Sequence, residues 1–156
     1  MIYFVATPIG NLKDITFRAI EVLNSVDVIA CEDTRNSLKL LNFYKISKKL
    51  ISYHKFNEKN SAEGIINLAK QNKDVAVISD AGMPLISDPG HILVNKLIEN
   101  NINYTVIPGA SACLSGLILS GFDSSFFTFI GFLDENNKIR KNQIEKIKDI
   151  KSTLIF

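Results

Sequence analysis

Seven short apolar runs, many with β-branched residues, alternate with stretches whose apolar residues recur at helical spacing, and this alternation limits the fold more than any other feature. The pattern predicts strands over 2–6 (IYFVA), 26–30 (VDVIA), 50–53 (LISY), 74–79 (DVAVIS), 104–107 (YTVI), 126–130 (FFTFI) and 152–156 (STLIF). Between them it predicts helices over 14–24, 34–43, 60–71, 88–100, 111–119 and 138–149. Strands apolar on both faces and separated by helices imply an α/β fold with a doubly wound, mainly parallel sheet. Asp14 can cap the first helix and Asp88 the fourth, where Pro89 falls at the first helical position and loses nothing by lacking an N–H.

At 156 residues the chain has the length of about one ordinary domain, and a hydrophobic content of 46% supplies a core and excludes general disorder. Its last segment complicates that picture. Ser152–Phe156 reads as a buried strand with no turn or closing helix after it, a place where natural termini rarely fall. The expectation is a longer protein, with an α/β domain over 1–122 and an incomplete second α/β domain beginning over 123–156.

Eighteen Lys and Arg against sixteen Asp and Glu leave a formal charge of +2, which excludes a domain held on nucleic acid by bulk charge alone. Any contact with RNA must be local. The charged run Asp134–Lys151 reads as a solvated helix face. Cys31 and Cys113 are far apart and belong to no CxxC or His pair, so neither a disulfide framework nor a metal site is expected. The first residues lack a basic n-region, and no apolar run approaches the ~20 residues that span a bilayer. A cytoplasmic protein with no membrane partner is expected.

Ligands of open α/β sheets bind outside the carboxyl ends of the strands, which directs attention to the loops there. Three stand out: Thr7–Asn11 after the first strand, Ser79–Gly90 after the fourth, and Pro108–Ala112 after the fifth. Together they hold all four prolines and four of the eight glycines, so their backbone groups are free to face a ligand. They contain no Lys or Arg, and neither G-x-G-x-x-G nor a P-loop is present. The ligand such turns suit is uncharged or zwitterionic, held by backbone and by apolar side chains such as Ile9, Met83, Leu85 and Ile86.

Two further features compete for chemistry. Gly109-Ala-Ser111-Ala-Cys113 nearly matches a nucleophile elbow but lacks its last glycine, and both His54 and His91 precede the serine. A hydrolase is therefore disfavoured. After the second strand, Cys31-Glu32-Asp33-Thr34-Arg35-Asn36 admits two readings. Asp33 or Thr34 caps the next helix, or the adjacent acidic and basic groups polarise a hydroxyl and hold a substrate phosphate.

Val5–Thr16, Cys31–Arg35, Leu50–His54, Ser79–Gly90 and Ile107–Ala112 together resemble the ribosomal RNA small-subunit methyltransferase I family of the tetrapyrrole methylase fold. The likeness runs through essentially the whole chain. It implies a two-domain α/β enzyme, usually homodimeric, that uses S-adenosylmethionine and no metal to methylate the ribose 2′-hydroxyl of a cytidine in small-subunit (16S) ribosomal RNA. By the same resemblance Ile9, Gly82, Met83, Pro84, Leu85, Ile86, Ser87, Ser111 and Ala112 contact the cofactor, with Met83 standing where the family has Thr. Glu32 or Asp33 is the candidate general base, and Arg35 the candidate contact to RNA phosphate. Other occupants of the fold act on a tetrapyrrole-like small molecule or a protein, and a module that only senses the cofactor is a third alternative.

Overall fold

The computed structural model describes residues 1–54, 57–88 and 90–156. They form strands β1 (Ile2–Val5), β2 (Val28–Cys31), β3 (Lys49–Ser52), β4 (Val75–Ile78), β5 (Tyr104–Ile107), β6 (Phe127–Phe129) and β7 (Thr153–Ile155). The helices between them are α1 (Phe17–Ser25), α2 (Thr34–Phe43), α3 (Glu58–Lys70), α4 (His91–Glu99), α5 (Ala112–Ser120) and α6 (Asn137–Ile147). Every predicted strand and helix is present, with ends displaced by a few residues. The chain divides into two compact units, Met1–Ala110 and Ser111–Phe156.

In the first unit five strands pair in the order β3-β2-β4-β1-β5, and all four neighbouring pairs are parallel. From β1 through β2 to β3 the chain steps toward one edge; from β3 through β4 to β5 it steps back toward the other. Right-handed crossovers then place α1 and α2 on one face of the sheet and α3 and α4 on the opposite face. The cores agree with this. Ala19, Val22 and Leu23 of α1 and Leu41 of α2 pack with Val5, Ile29 and Ile78. Ala62, Ile65 and Ile66 of α3 and Leu93 and Leu97 of α4 pack with Phe4, Ala30 and Val77. The central strands β2 and β4 are buried along their whole length, which is why they read as unbroken apolar runs.

Two helix starts differ from the sequence expectation. Thr16, not Asp14, caps α1 by accepting the Ala19 N–H at 3.1 Å, because Asp14 is taken up by a short 3-10 turn over Leu12–Asp14. Helix α4 starts at His91 with Gly90 at its cap, so Asp88 lies outside the helix and lines a cleft at the carboxyl end of β4. The expected place of Pro89 at the first helical position lies outside the described residues. At the opposite, amino edge of the sheet, Asp27 accepts the Asp74 N–H at 2.8 Å and pairs with Lys73 at 3.0 Å.

The second unit contains α5, β6, α6 and β7, with β6 and β7 paired in parallel across the α6 crossover. Asn136 caps α6 by accepting the Lys138 and Ile139 N–H groups, and α6 has no buried residue. Lys138, Lys141, Lys146 and Lys148 are exposed, as a solvated face requires.

Leu97 is fully buried between α3, α4 and the sheet. Leu97→Ala is expected to destabilise the first unit by about 2–5 kcal/mol, through lost transfer energy and the cavity left behind, measured by urea denaturation.

Candidate functional site

Strand β4 lies between β2 and β1, and the chain leaving β4 passes to the face opposite that taken by the chains leaving both neighbours. The carboxyl end of β4 is therefore the topological switch point, where diverging connections leave a crevice for a ligand. Three of the loops singled out from the sequence, those after β1, β2 and β4, emerge here.

The loops after β1 and β4 are joined directly. Thr7 donates its N–H to Gly82 O at 2.9 Å and accepts the Gly82 N–H at 3.1 Å, forming a two-residue antiparallel bridge. The buried Thr7 hydroxyl donates to Ser79 O at 3.2 Å, and the buried Ser79 hydroxyl donates to Gly82 O at 3.1 Å. Gly82 has φ +82°, a conformation that L side chains rarely adopt. A Cβ there would lie 3.2 Å from Ile9 Cγ2 and 3.6 Å from Ala110 O, so Ile9, Gly82 and Ala110 of three different loops converge. Gly109 approaches as closely, since a Cβ on it would be 2.9 Å from the Ala6 Cβ.

Beyond Gly82 the loop departs further from ordinary geometry. Leu85 and Ser87 also have left-handed backbones, at φ 72° and 64°, conformations that cost on the order of 1–3 kcal/mol each. Surrounding contacts hold them. The Leu85 side chain packs on the core shared by α3 and α4 and fills the space a Cβ on Gly90 would need. The Gly90 N–H donates to Glu58 Oε1 at 2.8 Å, and the buried Tyr53 hydroxyl donates to the same oxygen at 3.3 Å. Pro84 is buried, Met83 half-buried, and Ile86 and Ser87 are exposed. Ser111 and Ala112 belong to the second unit, where Ser111 occupies the cap position of α5 and its hydroxyl lies 3.4 Å from the Cys113 Sγ.

The acidic residues after β2 behave in opposite ways. Asp33 caps α2 by accepting the Arg35 N–H at 2.8 Å, and its two oxygens also accept from the Arg35 guanidinium at 3.2 and 2.8 Å. These bonds to Arg35 bring the Asp33 carboxyl down to about 2. Glu32 lines the cleft together with Tyr53, Ser79, Pro84 and Asp88. Burial, with Asp88 and Asp80 nearby, raises its pKa above the ordinary glutamate value. Asp88 is raised as well, by burial and then by Asp80. The buried Cys31 thiol is pushed up by its burial, which leaves it no thiolate to act as a nucleophile. His91 is the first residue of α4, its ring Nδ1 3.3 Å from the Asn95 amide. Among the described residues no three His, Cys, Asp or Glu side chains gather as metal ligands.

Asp80, Asp88, Asn36 and Glu58 take part in this site although the sequence pattern assigns none of them a role in it: Asp80, Asp88 and Asn36 fall inside the motifs quoted above, but only Asp88 has a part there, as a helix cap. Their role depends on strand order, since only the β2-β4-β1 adjacency carries the loop after β4 to the start of α2.

A family model described as Tetrapyrrole (Corrin/Porphyrin) Methylases matches residues 1–156, which sets this parallel sheet and the loops at its carboxyl end in a class of methylases. A solved diphthine synthase shares the fold, with a TM-score of 0.73 at 16% identity over 99% of this chain and 62% of that one. The chain belongs to the tetrapyrrole methylase family and, within it, to the ribosomal RNA small subunit methyltransferase I proteins. It is 53% identical to the protein of that name from Mycoplasmopsis pulmonis, over 94% of this chain and 65% of the relative. With the Thermotoga maritima protein of the same name it shares 45% identity, over 97% of this chain and 68% of the relative. It spans about half to two thirds of the length of the curated relatives it matches.

Glu58→Ala would leave the buried Tyr53 hydroxyl and the Gly90 N–H without their shared acceptor. A loss of roughly 1–3 kcal/mol is expected in a denaturant melt, together with faster amide exchange at Gly90.

Proposed function

We propose that this protein transfers a methyl group from S-adenosylmethionine to the 2′-hydroxyl of a cytidine ribose in small-subunit ribosomal RNA. The observation that carries the reading is 44–53% identity, along essentially the whole chain, to relatives named for methylating that RNA. A phosphate cradle finds no support in the loops after β1, β4 and β5, which contain no Lys or Arg.

The loops after β1 and β4 suit the cofactor. Ile9, Gly82 and Ala110 converge there, and because the Gly82 N–H and C=O are spent on Thr7 and Ser79, a zwitterionic ligand would be met by the apolar surface of Ile9 and by the loop beyond Gly82. In this reading Ile9 and residues 82–87 of the first unit hold it. When bound, S-adenosylmethionine supplies an electrophilic methyl group on a sulfonium. The chain has to align the acceptor hydroxyl, exclude water and remove one proton.

Glu32 is the better base of the two acidic candidates. Its raised pKa brings it nearer neutrality, where a base is both ionised and willing to take a proton, whereas Asp33 is held at about 2 by Arg35. The Arg35 side chain is 87% exposed and remains able to meet an RNA phosphate from its outer face. Ile118, Leu119, Phe122 and Phe132 expose large apolar surfaces in the second unit, which supports a homodimer. No described helix is long and apolar enough to cross a membrane, which accords with the cytoplasmic location proposed for an enzyme of ribosomal RNA.

Labelled S-adenosylmethionine and small subunits lacking the modification test the reading: label is expected at a cytidine ribose, and none in the RNA would refute it. Glu32→Gln should lower kcat by about 10²–10⁴ and Asp33→Asn by less than about tenfold, with cofactor binding followed by calorimetry. Because Glu32 must be ionised to act, the rate should fall on acidification through a pKa above the ordinary glutamate value.

A further inference from the structure

Asp80 is the first residue of the loop after β4 beyond Ser79, and it reaches across to the neighbouring strand's loop. Its Oδ1 accepts the Asp33 backbone N–H at 3.3 Å, and its Oδ2 accepts from the Asn36 side-chain amide at 2.9 Å. The Asp33 N–H belongs to the peptide unit that follows Glu32. One carboxylate thus grips the backbone beside Glu32 and the first turn of α2 at once. Two residues further along the same loop, Gly82 is locked to Thr7. The segment Asp80–Gly82 is therefore fastened on one side to the loop that carries Glu32 and on the other to the loop that carries Ile9.

We propose that Asp80 is a positioning residue: it sets the Glu32 carboxyl in register with the loop proposed to hold the cofactor, by gripping the Glu32–Asp33 peptide and Asn36 together. The inference rests on the methyl-transfer reading above, and it assigns no contact between Asp80 and either substrate. Its logic is that in-line transfer tolerates little displacement between acceptor and donor, so the base must be fixed relative to the cofactor loop rather than to its own helix alone. Asp80 also adds negative charge near Glu32. The groups around Glu32 are Asp80 and Asp88 from the loop after β4, Tyr53 and His54 after β3, and Asp33 with its partner Arg35 beside it.

Two substitutions separate position from charge. Asp80→Ala removes both bonds and should lower kcat by about 10- to 100-fold while the KM for S-adenosylmethionine stays nearly unchanged. Asp80→Asn keeps an acceptor for the Asp33 N–H, and the Asn36 amide can turn to meet the new NH₂ once the exposed Lys39, which now donates to Asn36 Oδ1, swings into solvent. It should retain most of kcat, while loss of the charge lets the Glu32 pKa fall and moves the acid limb of the kcat profile to lower pH. Hydrogen exchange at the Asp33 amide reads the tie without any turnover: faster in Asp80→Ala, unchanged in Asp80→Asn. Wild-type kcat in Asp80→Ala, a loss appearing wholly in KM for the cofactor, or an Asp33 amide indifferent to Asp80→Ala would each overturn the proposal. An unaltered protein that transfers no methyl group overturns the functional reading instead, and the role of Asp80 with it, even where the Asp33 amide reports an intact tie.

Discussion

Two backbone hydrogen bonds between Thr7 and Gly82 join loops that the topology would otherwise drive apart. Strands β1 and β4 are parallel neighbours, yet the chain leaving β1 turns to the α1 face and the chain leaving β4 to the α4 face. The divergence opens a crevice, and the bridge keeps it from being loose. The bridge in turn demands Gly82 with its positive φ, the buried hydroxyls of Thr7 and Ser79 that occupy the carbonyls around it, and Ile9 folded over the position a Cβ would take. A loop containing two further left-handed residues, Leu85 and Ser87, persists because Glu58 and the Leu85 contacts secure its far end.

Electrostatics divides the work of the adjacent acids. Asp33 gives both oxygens to Arg35 and the helix it caps, and so remains a structural anion at any pH where the protein works. Glu32 turns into a cleft shared with Asp88, where burial and like charge make its ionised form less favourable. A carboxyl that resists ionisation is a stronger base once ionised, and on the proposed methyl-transfer function that difference favours Glu32 over Asp33.

The strands were legible because β2 and β4 are buried on both faces and therefore unbroken in apolar character, and the helices because their apolar stripes face the sheet. Caps were harder. Asp14 and Thr16 both carry a capping side chain, and only the 3-10 turn at Leu12–Asp14 decides between them. Asp88 looked like a cap and instead lines the cleft, since the loop spends two more residues before α4 begins. The loops after β1, β4 and β5 were visible from their Gly and Pro content, and the convergence of Ile9, Gly82 and Ala110 gives that composition a geometric meaning. The Asp80 link to Asp33 and Asn36 had no signal, because it spans more than forty residues and exists only through strand order.

The central claim is that the crevice closed by the Thr7–Gly82 bridge is where the methyl donor binds. A crystal structure with S-adenosylhomocysteine, the demethylated product, tests it most directly. The account predicts ligand atoms in van der Waals contact with Ile9 and with the backbone of residues 82–87. A well-ordered ligand bound away from all of these residues would contradict it.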